Sequence, residues 1–341
     1  MIAIHHRQNS FSNDWIEYCK LHDVGYKTVD CYNGNIIEQL ADCDGLMWHW
    51  AHYDCHARLF ALQLTQSLEV AGKKVFPNTA TCWHYDDKVG QKYLLEAIGA
   101  PLVPTYVFYD KTEALRWIQT TDFPKVFKLR GGASSINVRL VKTRYEADGL
   151  VRQAFGRGFP PVNRRAIFKD KLELLRRNAG SHAFRESLKA AALCIIPGRA
   201  ERRFAREKGY VYFQDYLSNN VYDTRLVVIG KRCFGVRRHC RKGDFRASGS
   251  GLLEYDPALF EPETINIAFC TARKLGTQSL AFDLLSDEKG KPKIGEISYC
   301  FPTGSFLEDC PGYWEESINW VEKKVKPAYC MIEDFITAFR K

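Results

Sequence analysis

No apolar run in the 341 residues approaches the roughly 20 residues needed to cross a bilayer. The N-terminal stretch Met1-Ile2-Ala3-Ile4-His5-His6 reads directly as a strand, without the basic and apolar regions of a secretory leader. A cytoplasmic protein is therefore expected. Twelve cysteines are present, yet no Cys-x-x-Cys pair occurs. Cys19, Cys31, Cys43 and Cys55 are evenly spaced but fall in different predicted elements, so idle or buried thiols in a reducing compartment account for them. Neither a Gly-x-x-x-x-Gly-Lys phosphate loop nor a Gly-x-Gly-x-x-Gly fingerprint is found, which sets those nucleotide folds aside.

What is present is ordinary in amount and uneven in placement. Hydrophobic residues make up 45% and charged residues 26%, as in a globular protein long enough for two or three domains. The formal charge is +9, and residues 156–208 alone hold 14 basic and 5 acidic residues. The remainder of the chain therefore balances to zero.

Residues 1–78 alternate short apolar runs with helical patterns. Strands are expected at Ile2–Ile4, Tyr26–Val29, Gly45–Trp48 and Val75–Phe76, with helices at Trp15–Leu21, Ile36–Leu40 and Leu59–Val70. That alternation predicts a parallel sheet with helices on its faces. The third strand runs into a loop bearing His49, His52 and, further on, His56. Without ligand spacing, a packed aromatic loop is the better reading than a metal site; a flat stacking surface lies between the two.

From Phe123 to Val141 the pattern is strand, small-residue turn, strand. Lys128 ends the first strand, and the turn from Arg130 to Ser135 includes Gly131, Gly132 and Ser134, whose backbone can approach a ligand closely. An ordinary hairpin with a solvated lysine and a polyphosphate holder both fit this stretch. Asp87-Lys88 opens a capped helix that stops at Gly99 with Pro101 behind it.

Taken together, these segments resemble the ATP-grasp superfamily, with the nearest likeness to carboxylate–amine ligases of the ribosomal-protein glutamate ligase type. The likeness covers about residues 79–150 and 210–303. Val211–Leu217 resembles the family's hinge strand, and Asp223-Thr224-Arg225 followed by Arg238 resembles its Asp-x-Arg strand and phosphate-side arginine. Gly243–Arg246 resembles the segment leading to the metal end, while Phe282-Asp283-Leu284 and Gly295-Glu296-Ile297-Ser298 resemble the two carboxylate strands. The implied fold is α+β: a parallel α/β domain (1–78), a linking helix and lid subdomain (79–215), and a C-terminal subdomain (216–341). In that fold the last two enclose a nucleotide cleft.

The resemblance implies ATP and Mg2+, with Mn2+ as an alternative metal. It assigns Lys88, Lys128, Gly131, Gly132 and Ser134 to the phosphates, and Gln214, Asp215 and Leu217 to adenosine. Asp283, Glu296 and Ser298 are the implied metal ligands; Arg225, Arg238 and Arg246 are the implied catalytic and orienting cations. Ser248 and Ser298 stand where the family usually has asparagine, which motivates an alternative reading as a catalytically weak nucleotide-binding regulator. The implied reaction joins a carboxylate to an amine through an acyl phosphate. A homodimer is usual among such families.

The basic segment 156–208 has no counterpart in the short family members. Helical runs are expected in it, beginning at Phe168 and at Ala183, and two readings stand. It is either a solvated helical hairpin or an attractor for an acidic acceptor, such as an anionic glycan or acidic peptide. Nucleic acid is the weaker partner, because aromatic residues are not interleaved with these charges. Tyr313–Val325 and Ala328–Phe339 read as helix-compatible apolar runs that pack on the C-terminal domain or a neighbouring subunit.

Overall fold

The computed structural model describes residues 1–51, 54–132, 137–160, 205–240, 251–302 and 304–339. They form two compact units, the larger from Met1–Val103 with Leu217–Lys341 and the smaller from Pro104–Tyr216.

In the larger unit the expected parallel sheet is present. Strands β1 (Ile2–His5), β2 (Tyr26–Val29), β3 (Gly45–Trp48) and β4 (Lys74–Phe76) run parallel in the order β2-β1-β3-β4. Every residue of β1 and β3 is buried, as expected of strands covered on both faces. Helix α1 (Phe11–Leu21) starts four residues before the expected Trp15. Ser10 caps it by accepting the Ser12 N–H, and Phe11 is already fully buried. Helix α2 (Ile36–Gln39) is short, and Asp54 likewise caps α3 (Cys55–Val70). After α4 (Thr79–Cys82), Asp87 caps α5 (Lys88–Ala97) through the Gly90 N–H.

The smaller unit is an antiparallel sheet, β5-β8-β6-β7, made of β5 (Thr105–Phe108), β6 (Lys125–Lys128), β7 (Arg139–Val141) and β8 (Val211–Asp215). The expected hairpin is there, with Lys125 opposite Val141. Helices α6 (Lys111–Thr120) and α7 (Arg144–Phe155) supply Ala114, Ile118, Leu150 and Val151 to a core shared with Phe127 and Phe213. Strand alternation then puts Lys128 and Gln214 on the opposite face.

The chain returns to the larger unit with a seven-stranded sheet. Its strands are β9 (Tyr222–Ile229), β10 (Arg232–His239), β11 (Leu253–Glu254), β12 (Ser279–Ser286), β13 (Pro292–Ser298), β14 (Tyr313–Glu315) and β15 (Trp320–Val321). The order is β13-β12-β9-β10-β14-β15, with β11 on β10. One face, including Leu226, Val228, Phe282, Ile294 and Ile297, packs on helix α8 (Pro262–Leu275) through Ile265 and Phe269. The other face offers Val227, Ile229, Phe234 and Ala281 to Ile4, Trp15 and Phe76.

Past the short α9 (Gly304–Leu307), helix α10 (Pro327–Thr337) adds Met331, Ile332 and Phe335 to that same core. The last helix thus joins the N-terminal and C-terminal layers. Full burial of each such side chain contributes about 1.5–3 kcal/mol.

The run Tyr313–Val325, expected to suit a helix, forms two strands instead. Trp314 and Trp320 are six residues apart and would point to different sides of a helix. In the hairpin they are cross-strand partners, with ring centroids 4.7 Å apart. Strand β14 also caps the free edge of β10, where Cys233 pairs with Trp314.

Candidate functional site

The antiparallel register of the seven-stranded sheet gathers five charged side chains in the larger unit, and helix α5 adds a sixth. The β9–β10 hairpin turns at Gly230 and Lys231, which pairs Ile229 with Arg232 and therefore Asp223 with Arg238. Gly230 has a φ of +55°, and a Cβ there would stand 2.1 Å from Asp334 Oδ2, so both the turn and the packing require glycine. Strand β12 brings Asp283 opposite Arg225, and β13 brings Glu296 opposite Asp283. The register shifts between Asp283 and Leu284. This bulge lets Ile294 and Ile297 both enter the core while Glu296 stays on the charged face.

Arg225 grips Asp283 with two bonds, Nε to Oδ1 at 2.6 Å and Nη2 to Oδ2 at 2.7 Å. Arg238 grips Asp223 in the same way, both bonds at 2.6 Å, and its Nη2 also lies 2.9 Å from Asp283 Oδ1. These are charge-assisted forked pairs, the strong class of side-chain hydrogen bond. Burial pushes the Asp283 carboxyl up, but Arg225 and Arg238 outweigh it and hold the group well below the usual carboxylate range. For Asp223, burial and the neighbouring Asp283 charge prevail over Arg238 and raise it. Burial would lower Arg238, yet the two carboxylates raise it, so it stays charged.

Lys88, the first residue of α5, is buried and lies with its Nζ 3.1 Å from Glu296 Oε1. Burial works against its charge, and Glu296 with Asp86 more than restores it. The Ser298 hydroxyl donates to the Cys300 carbonyl at 2.9 Å, leaving its lone pairs available. His49 belongs to packing: its ring stacks on Phe11 at 3.7 Å and its Nδ1 accepts the Phe11 N–H at 3.1 Å. Burial lowers its pKa to about 3, so it is neutral. His52 lies outside the described residues.

In the smaller unit, Lys128 Nζ donates to Gln214 Oε1 at 2.6 Å, and Gln214 Nε2 donates to Thr105 Oγ1 at 3.1 Å. All three side chains are buried. Asp215, the next residue, points to the other face and pairs with Lys125 at 2.6 Å. The Lys125 ammonium there sits 5.3 Å from the Tyr106 ring centre. Gly132 has a φ of +119° with Asn137 Nδ2 3.0 Å from a would-be Cβ, and Gly131 precedes it. Leu217 is half-buried and its carbonyl accepts from Asn220 Nδ2 at 3.2 Å.

Of the residues singled out from sequence, Arg225, Arg238, Asp283, Glu296 and Lys88 come together, with Ser298 on the same strand as Glu296. Lys128 meets Gln214, and the Asp215 side chain does not join them. Ser134, Arg246 and Ser248, and the segment 161–204 of the basic insert, lie outside the described residues. Asp223 lies in the Asp-x-Arg segment, where the family likeness gives it no role of its own; the two-residue turn at Gly230 is the sequence signal that pairs it with Arg238.

The donors suit a small hard cation. Asp283 and Glu296 are opposed carboxylates on neighbouring strands. Among the described residues, no group of three or more His, Cys, Asp or Glu could hold a metal ion. Magnesium characteristically takes one or two carboxylates and completes its shell with water and phosphate oxygens.

No protein-family model matches this sequence, and no curated protein matches it. Solved structures do. An ATP-grasp RimK-domain protein from Sphaerobacter thermophilus is 17% identical, with 98% of this chain and 99% of that chain covered at a TM-score of 0.54. D-alanine–D-alanine ligase from Bacillus anthracis, solved with ATP, is 12% identical, covering 99% and 97% at a TM-score of 0.58. The biotin carboxylase domain of 2-oxoglutarate carboxylase from Hydrogenobacter thermophilus, solved with MgADP and bicarbonate, is 16% identical, covering 98% and 69% at 0.58. This chain has the ATP-grasp fold.

Proposed function

We propose that the protein is an ATP-dependent, ADP-forming ligase that joins a carboxylate to an amine. The observation that carries this reading is the alternating charge array Lys88–Glu296, Asp283–Arg225 and Arg238–Asp223 on one sheet face. A carboxylate oxygen of the first substrate attacks the terminal phosphorus of ATP, and ADP leaves. The amine nitrogen then attacks the acyl carbon, and inorganic phosphate leaves. Such phosphoryl transfer asks for position and positive charge more than covalent help.

In this reading Lys128 and Lys88 bind phosphates, with Gly131, Gly132 and Ser134 lending backbone donors. Gln214, Asp215 and Leu217 hold adenosine, Asp215 and Leu217 through their backbones. Arg225 and Arg238 stabilise charge on the transferred group, and Arg246 orients the acceptor. Asp283 and Glu296, with Ser298 as a neutral oxygen, would hold Mg2+ (or Mn2+). The cation supplies charge neutralisation on the phosphates. The acceptor is acidic, drawn by the net charge of +9 in residues 156–208. The protein works in the cytoplasm; among the described residues no helix is long and apolar enough to cross a membrane.

The experiment is an ADP-release screen of the purified protein with Mg2+ and ATP, across amino acids, sugar acids and acidic peptides. Hydroxylamine is included to trap acyl phosphate as a hydroxamate. Carboxylate-dependent ADP and hydroxamate are expected. ATP binding without carboxylate-dependent ADP release from any class would favour the regulator reading, which the serines at 248 and 298 motivate.

A further inference from the structure

The six charges of the cluster cancel. Asp223, Asp283 and Glu296 face Arg238, Arg225 and Lys88, each acid already within 2.6–3.1 Å of a base. The array is part-buried: side-chain exposure is 4% for Lys88, 5% for Arg238 and 13% for Asp223, rising to 25% for Asp283 and 35% for Glu296. A divalent cation arriving alone at Asp283 must therefore displace guanidinium groups. It adds two positive charges to a part-buried cluster whose own six charges already cancel, and leaves the displaced cations without carboxylates. Uncompensated charge in such surroundings is strongly unfavourable. A polyphosphate reverses this balance, because its oxygens accept the displaced guanidinium and ammonium groups.

We propose that Asp223 is a positioning residue that anchors Arg238 beside Asp283, so that this protein takes up a divalent cation only together with a polyphosphate. The inference rests on reading Asp283 and Glu296 as the metal carboxylates. The geometry behind it is the single Arg238 Nη2, which lies 2.6 Å from Asp223 Oδ2 and 2.9 Å from Asp283 Oδ1. Asp223 fixes the plane of the guanidinium while the same nitrogen covers the metal-facing carboxylate. Once Asp283 turns to a cation, Asp223 still holds Arg238 at the site, available to a phosphate.

Sign separates this role from a general structural one. Arg225→Gln leaves the cluster with one net negative charge and removes the forked pair from Asp283, which keeps only Arg238 Nη2 on its Oδ1. Asp223→Asn leaves it with one net positive charge and frees Arg238 to close on Asp283. Mn2+ serves as probe: its free-ion paramagnetic resonance signal is titrated against full-length protein, with and without ADP. ADP binding is also measured by calorimetry in EDTA. Folding is checked by circular dichroism, and if Asp223→Asn does not fold, Arg225→Gln decides.

For the wild type, Mn2+ binding at least tenfold tighter with ADP than without it is expected, after correction for the Mn2+–ADP complex in solution. Without ADP, Arg225→Gln should bind Mn2+ at least tenfold tighter than wild type, and Asp223→Asn should bind it more weakly. Metal-free ADP binding should move the opposite way in each variant. Wild-type Mn2+ affinity that is equal with and without ADP overturns the inference and leaves the ligase reading standing. So does loss of Mn2+ affinity in both variants, or no change in Arg225→Gln. No Mn2+ retained under any condition overturns the metal assignment itself.

Discussion

Removing Arg238 tests whether the cluster is energetically one unit. Its side chain is only 5% exposed and holds Asp223, itself 13% exposed, with two bonds of 2.6 Å. In Arg238→Met, Asp223 keeps its burial and loses its partner, while Asp283 retains Arg225. Breaking a buried pair on one side costs about 3–5 kcal/mol, because the remaining charge is uncompensated. Asp223→Asn leaves Arg238 with Asp283 as its remaining acid, so the expected loss is smaller, about 1–3 kcal/mol. In the double variant Arg238→Met with Asp223→Asn, no charge is stranded. Its loss should fall short of the sum of the singles by at least about 2 kcal/mol. Urea unfolding followed by tryptophan fluorescence is the assay, because six of the seven tryptophans lie in the larger unit. Losses that simply add, or an Arg238→Met loss below about 1 kcal/mol, would refute the idea that these charges depend on one another.

Acid should destabilise the protein through His84, which is fully buried and whose pKa is pushed by burial to about 4. The unfolded imidazole takes its proton near pH 6.5 while the folded one does not, so stability is intact above 6.5 and falls as pH drops toward 4. The loss is about 3 kcal/mol; between pH 7 and 4.5 the urea-derived stability of His84→Phe should rise relative to wild type by most of that amount, and curves that stay parallel would refute it. Lys128→Met should weaken binding of a non-hydrolysable ATP analogue at least tenfold by calorimetry, since it deletes a buried ammonium proposed to face phosphate; unchanged affinity would remove Lys128 from the site. Reversing Arg176, Arg177, Arg202 and Arg203 to glutamate should raise the acceptor's KM and flatten its salt dependence with the KM for ATP unchanged. Equal effects on both substrates would make the basic segment structural.

The strands at Tyr26–Val29 and Gly45–Trp48 and the hairpin around Lys128 were legible in the sequence, because apolar period and turn residues act over a few positions. The Asp223–Arg238 pairing was legible in principle too, since a two-residue turn at Gly230 fixes the register of both strands. Local pattern misled at Tyr313–Val325, where Trp314 and Trp320 suit either a helix or a hairpin until the open edge of β10 selects the strand. The apolar run Ala328–Phe339 announced a helix, found at Pro327–Thr337, though not that it would bury Phe335 with Ile4 and Phe234. Tertiary structure alone decided that Asp283 meets two arginines and Glu296 meets Lys88. Those contacts span 58, 45 and 208 positions and follow from the order β13-β12-β9-β10, with α5 beside it. The sequence by itself determined which residues carry charge and, on β9, β10 and β12, which way each faces along its strand; the facing of Glu296 depends on the bulge between β12 and β13. Which carboxylate each base neutralises depends on strand neighbours brought together by burial of the two apolar faces, a condition no local stretch contains.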